Sequence, residues 1–91
     1  MEEKKMIDFE IIWQKIRKFE GETFHTIRKL SFTYEINDDV LIPSRTDFKL
    51  TKENFRQAFN QIPVQGPSYF SEDIMGASYV WGILSDTRIV G

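Results

Sequence analysis

The chain has 91 residues, a net charge of −2 and no cysteine. Those facts exclude a multidomain architecture, disulfide staples and thiolate metal sites. No apolar run reaches the roughly 18–20 residues that a membrane span needs. The charged start Met1-Glu2-Glu3-Lys4-Lys5 is followed by no stretch of signal-peptide type. A cytoplasmic protein that does not cross a membrane is the expectation. Eight Phe, three Tyr and two Trp within a 41% hydrophobic composition supply a core, as a domain this small requires.

Residues 1–6 read as a flexible charged tail, and 7–91 as a single α+β domain. The spacing of Phe9, Ile12, Trp13 and Ile16 predicts an amphipathic helix from about Phe9 to Phe19. Asp8 suits its N-cap, and Ile7 with Ile12 stand at the staple positions. Lys15, Arg17 and Lys18 suit the negative end of the helix dipole, with Gly21 as a left-handed terminator.

A β region follows. Thr23 to Thr26 and Leu30 to Ile36 read as strands joined by a turn carrying Arg28 and Lys29. Phe32, Tyr34 and Ile36 alternate with polar residues. Asn37-Asp38-Asp39 is turn chemistry, since Asn and Asp tolerate positive φ. Val40 to Ile42 returns as a third strand, stopped by Pro43. The expected sheet is a three-stranded antiparallel meander, with Thr23, Phe32, Tyr34, Ile36, Val40 and Ile42 turned toward the helices. Phe48-Lys49-Leu50 reads as a brief extended piece. Thr51 then caps a second helix, about Lys52 to Gln61, with Leu50 and Phe55 as its staple and Pro63 beyond it. Val64 to Phe70 is a loop. Ala77 to Leu84 is nearly all apolar and fits a buried strand or a short buried helix. The helix, from Ala77 to Ser85 and capped by Ser78 or an earlier polar residue, is preferred. The fold class is thus α+β: a helix, the meander, then two helices packed on the sheet.

Chemistry is sparse in the sequence. His25 has no second histidine or cysteine to share a metal, so no metal or cofactor is expected. Ser44, His25 and Asp47 have the residue types of a triad, but nothing in the sequence brings them together. The neighbouring carboxylates Glu2-Glu3 and Glu72-Asp73 point apart and form no acid–base pair. No phosphate-binding glycine loop is present. These observations point to a non-catalytic binding module.

Two candidate surfaces remain. Arg28, Lys29, Arg45, Lys49, Lys52 and Arg56 are a candidate basic face for nucleic acid or a nucleic-acid-handling protein; the competing reading is ordinary solvated charge. Phe32 and Tyr34 share a strand face that suits base stacking and equally suits a core. Tyr69, Phe70, Tyr79 and Trp81 are a candidate surface for a protein partner or a homodimer. A hydrolase component active only within an assembly is a further alternative.

Ser44-Arg45, the helix containing Phe55 and Ala58, and the stretch from Gly76-Ala77-Ser78-Tyr79-Val80-Trp81 to Asp86-Thr87-Arg88-Ile89 resemble a small bacterial domain family of unknown function. That family has an SR dipeptide and a C-terminal GxSYVWxILxDxRI-like motif. The resemblance covers roughly Gly21 to Ile89, with Thr87 standing where proline would be common. It implies a fold and a bacterial source, and no activity.

Overall fold

The computed structural model describes residues 8–90, and its architecture is α+β: a helix, antiparallel strands, then helices. Helix α1 (Phe9–Lys18) buries Phe9, Ile12, Trp13 and Ile16, the face that the 3.6-residue spacing defines. The Asp8 carboxylate caps it by accepting the Glu10 N–H at 3.1 Å. The expected staple partner Ile7 and the tail 1–6 lie outside the described residues. At the other end the helix tightens: the N–H of Glu20 donates to Arg17 O and not to Ile16 O. The Ile16 carbonyl is then satisfied by the buried Tyr34 hydroxyl, which donates to it at 2.6 Å. Gly21 takes φ +90°, one position later than a residue directly following the cap Phe19.

The expected meander is divided into two small sheets. Strands β1 (Phe24–His25) and β2 (Ser31–Phe32) form one antiparallel pair. Strands β3 (Tyr34–Asn37), β4 (Val40–Pro43) and β5 (Leu50–Thr51) form the other, in that order. The long second strand expected from Leu30 to Ile36 therefore breaks at Thr33. Ser44 holds the break. Its N–H donates to Thr33 O at 2.8 Å, and its Oγ accepts the Thr33 N–H at 3.0 Å. Phe32 and Tyr34 remain inward, each packed against the buried Phe24, with ring centroids 6.3 Å and 5.3 Å from it.

Two expectations about facing are corrected. Thr23 is exposed and Phe24 is buried in its place. In β4 the buried residues are Leu41 and Pro43, whereas Val40 and Ile42 are only half-buried. The turn decides this. Asp38-Asp39 is a two-residue connection, with Asp38 at φ 57°, so Asn37 pairs with Val40 and Ile36 with Leu41. Directly paired residues share a face, and a shift of one residue exchanges the faces of the whole strand.

Thr51 caps helix α2 (Lys52–Phe59) by accepting the Asn54 N–H at 3.1 Å. Leu50 and Phe55, the expected staple, are both buried. Two amides on and after α2 hold the next loop. The Asn54 side chain pairs with both backbone groups of Met75, each at 2.9 Å. Gln61 receives the Ser71 N–H at 2.8 Å.

Helix α3 (Ala77–Leu84) is central. It meets β1, α2, the turn Pro67–Tyr69 and a final helix α4 (Thr87–Val90). That surround covers Val80, Ile83 and Leu84, which no single face would. Its N-cap is Gly76 at φ 63°, with no side-chain cap, in place of the expected Ser78. Gly82 lets the helix touch β1: a Cβ there would collide with the His25 carbonyl. The last element expected from the sequence is the helix from Ala77 to Ser85, so α4 is an addition. Thr87 is its first residue, a position that also suits proline, and Ile89 is fully buried.

Candidate functional site

The β1–β2 turn stands out of the molecule and divides two grooves. It is built without Gly, Asn or Asp. Lys29 takes the left-handed position itself, at φ 71°, at a cost of roughly 1 kcal/mol. Thr26 offsets that cost. Its carbonyl accepts the Lys29 N–H at 2.8 Å, its own N–H donates to Leu30 O at 3.0 Å, and its Oγ1 accepts the Leu30 N–H at 3.2 Å. Thr26 is correspondingly buried, while Ile27 is 43% and Leu30 50% exposed.

One groove, of about 590 Å³, lies between this turn, the Gly66–Tyr69 segment and the start of α3. Its walls are mostly apolar and include Ile27, Leu30, Tyr69 and Tyr79, with Arg28 as the charged member. Tyr69 is 63% exposed. Ile27 rests against Gly66, where a Cβ would come within 3.1 Å of its Cδ1. The second groove, of about 620 Å³, is more mixed in character and holds His25, Lys29, Trp81, Ser85 and Asp86. Thr26 and Ile27 line both. The turn thus presents Arg28 to one groove and Lys29 to the other.

The six basic residues do not form one face. Arg45 is bound into the fold, its Nε donating to Ser31 O at 2.6 Å. This places it beside the β1–β2 hairpin. Lys52 lies at the opposite end of β4, where its backbone N–H donates to Asp39 O. Its ammonium is paired with Glu10 of α1 at 2.7 Å. Arg56 is paired with Glu53 one turn earlier on α2. Lys49 lies just before β5, lining a small recess with Asn54, Asp73 and Met75. Arg28 and Lys29 remain together at the exposed hairpin turn, as the sequence reading placed them.

The four aromatic candidates also divide. Phe70 is buried. Tyr79 is half-buried, edge-on to Phe32 at 5.0 Å between centroids. Trp81 donates from Nε1 to Val64 O at 3.2 Å. Tyr69 is the member turned to solvent. Phe32 and Tyr34 are core residues, which removes them as a stacking platform.

Sequence reasoning missed the neighbourhood of His25. Ser85 and Asp86 share its groove, 60 positions along the chain, and no local motif announced the meeting. Asp86 is nevertheless committed elsewhere. Both its oxygens accept from the Arg88 guanidinium at 2.9 Å, and Oδ1 also accepts the Arg88 N–H at 2.8 Å. The Arg88 hydrogen bond holds the carboxyl below its ordinary pKa, and Asp86 in turn raises that of Arg88. Arg88 also donates to Thr23 O at 2.7 Å and lies 4.0 Å above the Phe24 ring. Ser44 is likewise occupied, its hydroxyl holding the Thr33 break. Among the described residues no group of three or more His, Cys, Asp or Glu is placed to hold a metal ion, and no helix is long and apolar enough to cross a membrane.

No protein-family model, curated protein or solved structure matches this chain.

Proposed function

We propose that the chain is a non-catalytic binding module that engages a partner protein at the apolar groove beside the β1–β2 turn. The observation that carries this reading is the exposure of Ile27, Leu30 and Tyr69 around one groove. Apolar residues scattered singly on a surface need no explanation, but a contiguous group does. The groove is open, which suits a chain laid across it better than an enclosed small molecule. The test is selection of phage-displayed random peptides on the wild type and on an Ile27→Ser/Tyr69→Ala variant, with circular dichroism as the check on folding. Enrichment on the wild type that is lost on the folded variant supports the reading. No enrichment, or clones that bind both proteins equally, overturns it.

A second reading keeps nucleic acid as the partner, favoured by Arg28 and Lys29 on the exposed turn. Its footprint is small, because Arg45, Lys52 and Arg56 have partners within the fold. Phosphate contacts so few would give weak, salt-sensitive, sequence-tolerant binding. Titration of labelled DNA and RNA at low salt tests it; no binding at high micromolar protein removes it.

A further inference from the structure

We infer that the groove selects an extended peptide carrying a bulky apolar side chain next to a carboxylate; this rests on the protein-binding reading above. Two features of the groove determine the chemistry. Its walls are apolar, from Ile27, Leu30 and Tyr69, and burying such surface favours an apolar side chain in the partner. Its charged wall residue is Arg28, and among the described residues no carboxylate lines it, although the chain as a whole carries a net charge of −2.

A guanidinium beside an apolar surface discriminates by charge. It forms a two-point hydrogen bond with a carboxylate and repels a lysine or arginine in the same place. A nucleic-acid backbone is a poorer match, because its affinity grows with the number of phosphates neutralised. Here the neighbouring cation, Lys29, lines the other groove. The left-handed backbone at Lys29 separates the two side chains, so among the described residues the apolar groove offers one cation and a large apolar contact.

The experiment is a nitrogen-15 chemical-shift titration of the full chain with three synthetic peptides: acetyl-Asp-Leu-Phe-Asp-amide, acetyl-Lys-Leu-Phe-Lys-amide and acetyl-Asp-Ala-Ala-Asp-amide. The first is expected to give saturable shifts at residues 26–30, 66, 68, 69 and 77–79, with a Kd about tenfold below that of the second. The third is expected to give none that saturate. Arg28→Glu, at an exposed position, is expected to reverse the order of the first two. Equal binding of the acidic and basic peptides at these residues would overturn the charge selection and leave the protein-binding reading standing. Equal binding of the first and third would overturn the apolar requirement. If no peptide shifts these residues, the inferred ligand chemistry is overturned, and the phage selection separately decides whether the groove binds protein.

Discussion

Of the arginines that meet the β1–β2 hairpin, one at its base and one at its tip differ in every respect but charge. Arg88 is half-buried at the base. Its guanidinium is consumed by Asp86, by Thr23 O and by the face of Phe24. Arg28 stands exposed at the tip beside an apolar groove. A cation whose Nε and Nη2 donors are taken up by the fold adds stability and offers a ligand little. A cation at the rim of a groove does the reverse. The same contrast separates Arg45, fixed on Ser31 O, from Lys29, which rides on the turn. Base and tip should therefore respond oppositely to mutation: the base in stability, the tip in binding.

The largest effect belongs to the core behind the base. Trp13 is fully buried between Phe9 and Phe55, at centroid distances of 6.2 Å and 5.7 Å. Among the described residues its Nε1 has no hydrogen-bond partner, and its contribution comes from packing. Trp13→Ala is expected to cost about 3–5 kcal/mol, comparable with the whole stability of a small domain. Urea denaturation measures it, and a midpoint that hardly moves would show that the α1 face does not carry the core.

Next is the base itself. Arg88→Ala removes charge-assisted hydrogen bonds to Asp86 and Thr23 and is expected to cost about 2 kcal/mol, a figure moderated by its partial exposure. The pH dependence sharpens the comparison. Asp86 titrates below its ordinary value of 3.8 in the folded chain. Its stabilisation is therefore fully present above that value and lost as pH falls through the lower folded value. In Arg88→Ala this part of the acid sensitivity should disappear. An unchanged acid limb of the stability profile would count against the clasp.

These arrangements were unevenly legible in the sequence. Periodicity and capping residues revealed α1 and α2, because Asp8, Thr51 and the apolar spacing act within a few residues. The Ala77–Leu84 helix was ambiguous, since an all-apolar segment covered from several sides has no polar face to mark a period. The facing of β4 was misread because the length of the Asp38-Asp39 turn, and not the apolar pattern of Val40-Leu41-Ile42, sets the register. The Ser44-Arg45 pair looked like site chemistry. Its work is to hold the break at Thr33 and the backbone of Ser31, contacts 11 and 14 positions away. For the candidate site, the exposed turn was legible from Arg28 and Lys29. The groove was not, because Ile27, Tyr69 and Tyr79 meet only through tertiary packing.

A smaller effect tests how α1 is joined to the sheets. Tyr34→Phe deletes the hydroxyl that fills the Ile16 carbonyl and is expected to cost about 1 kcal/mol. Burial raises the Tyr34 pKa above its ordinary value of 10.0. Its contribution is then complete below pH 10.0 and is lost as pH rises toward the higher folded value. The wild type should weaken above pH 10.0 while Tyr34→Phe loses that part of the alkaline dependence. Equal alkaline slopes in thermal melts would contradict the burial of the Tyr34 hydroxyl.

The tip should show the smallest change in stability and the sharpest change in binding. Arg28→Glu with Lys29→Glu alters two exposed side chains, and surface substitutions of this kind stay within about 0.5 kcal/mol. Reversing Arg28 and Arg45 together would be a poorer test, because Arg45 holds Ser31 O at 2.6 Å and its loss would disturb the hairpin. With the tip pair reversed, an unchanged denaturation midpoint is expected, together with loss of acidic-peptide binding and of any low-salt nucleic-acid binding. The two partners then separate by single variants. Lys29 lines the groove beside His25 and Arg28 the one beside Tyr69, so Lys29→Glu alone should spare the peptide and weaken a phosphate ligand that spans the turn. Arg28→Glu alone should weaken both. If Lys29→Glu abolishes peptide binding as completely as Arg28→Glu, the turn does not divide the two grooves, and the distinction between them fails.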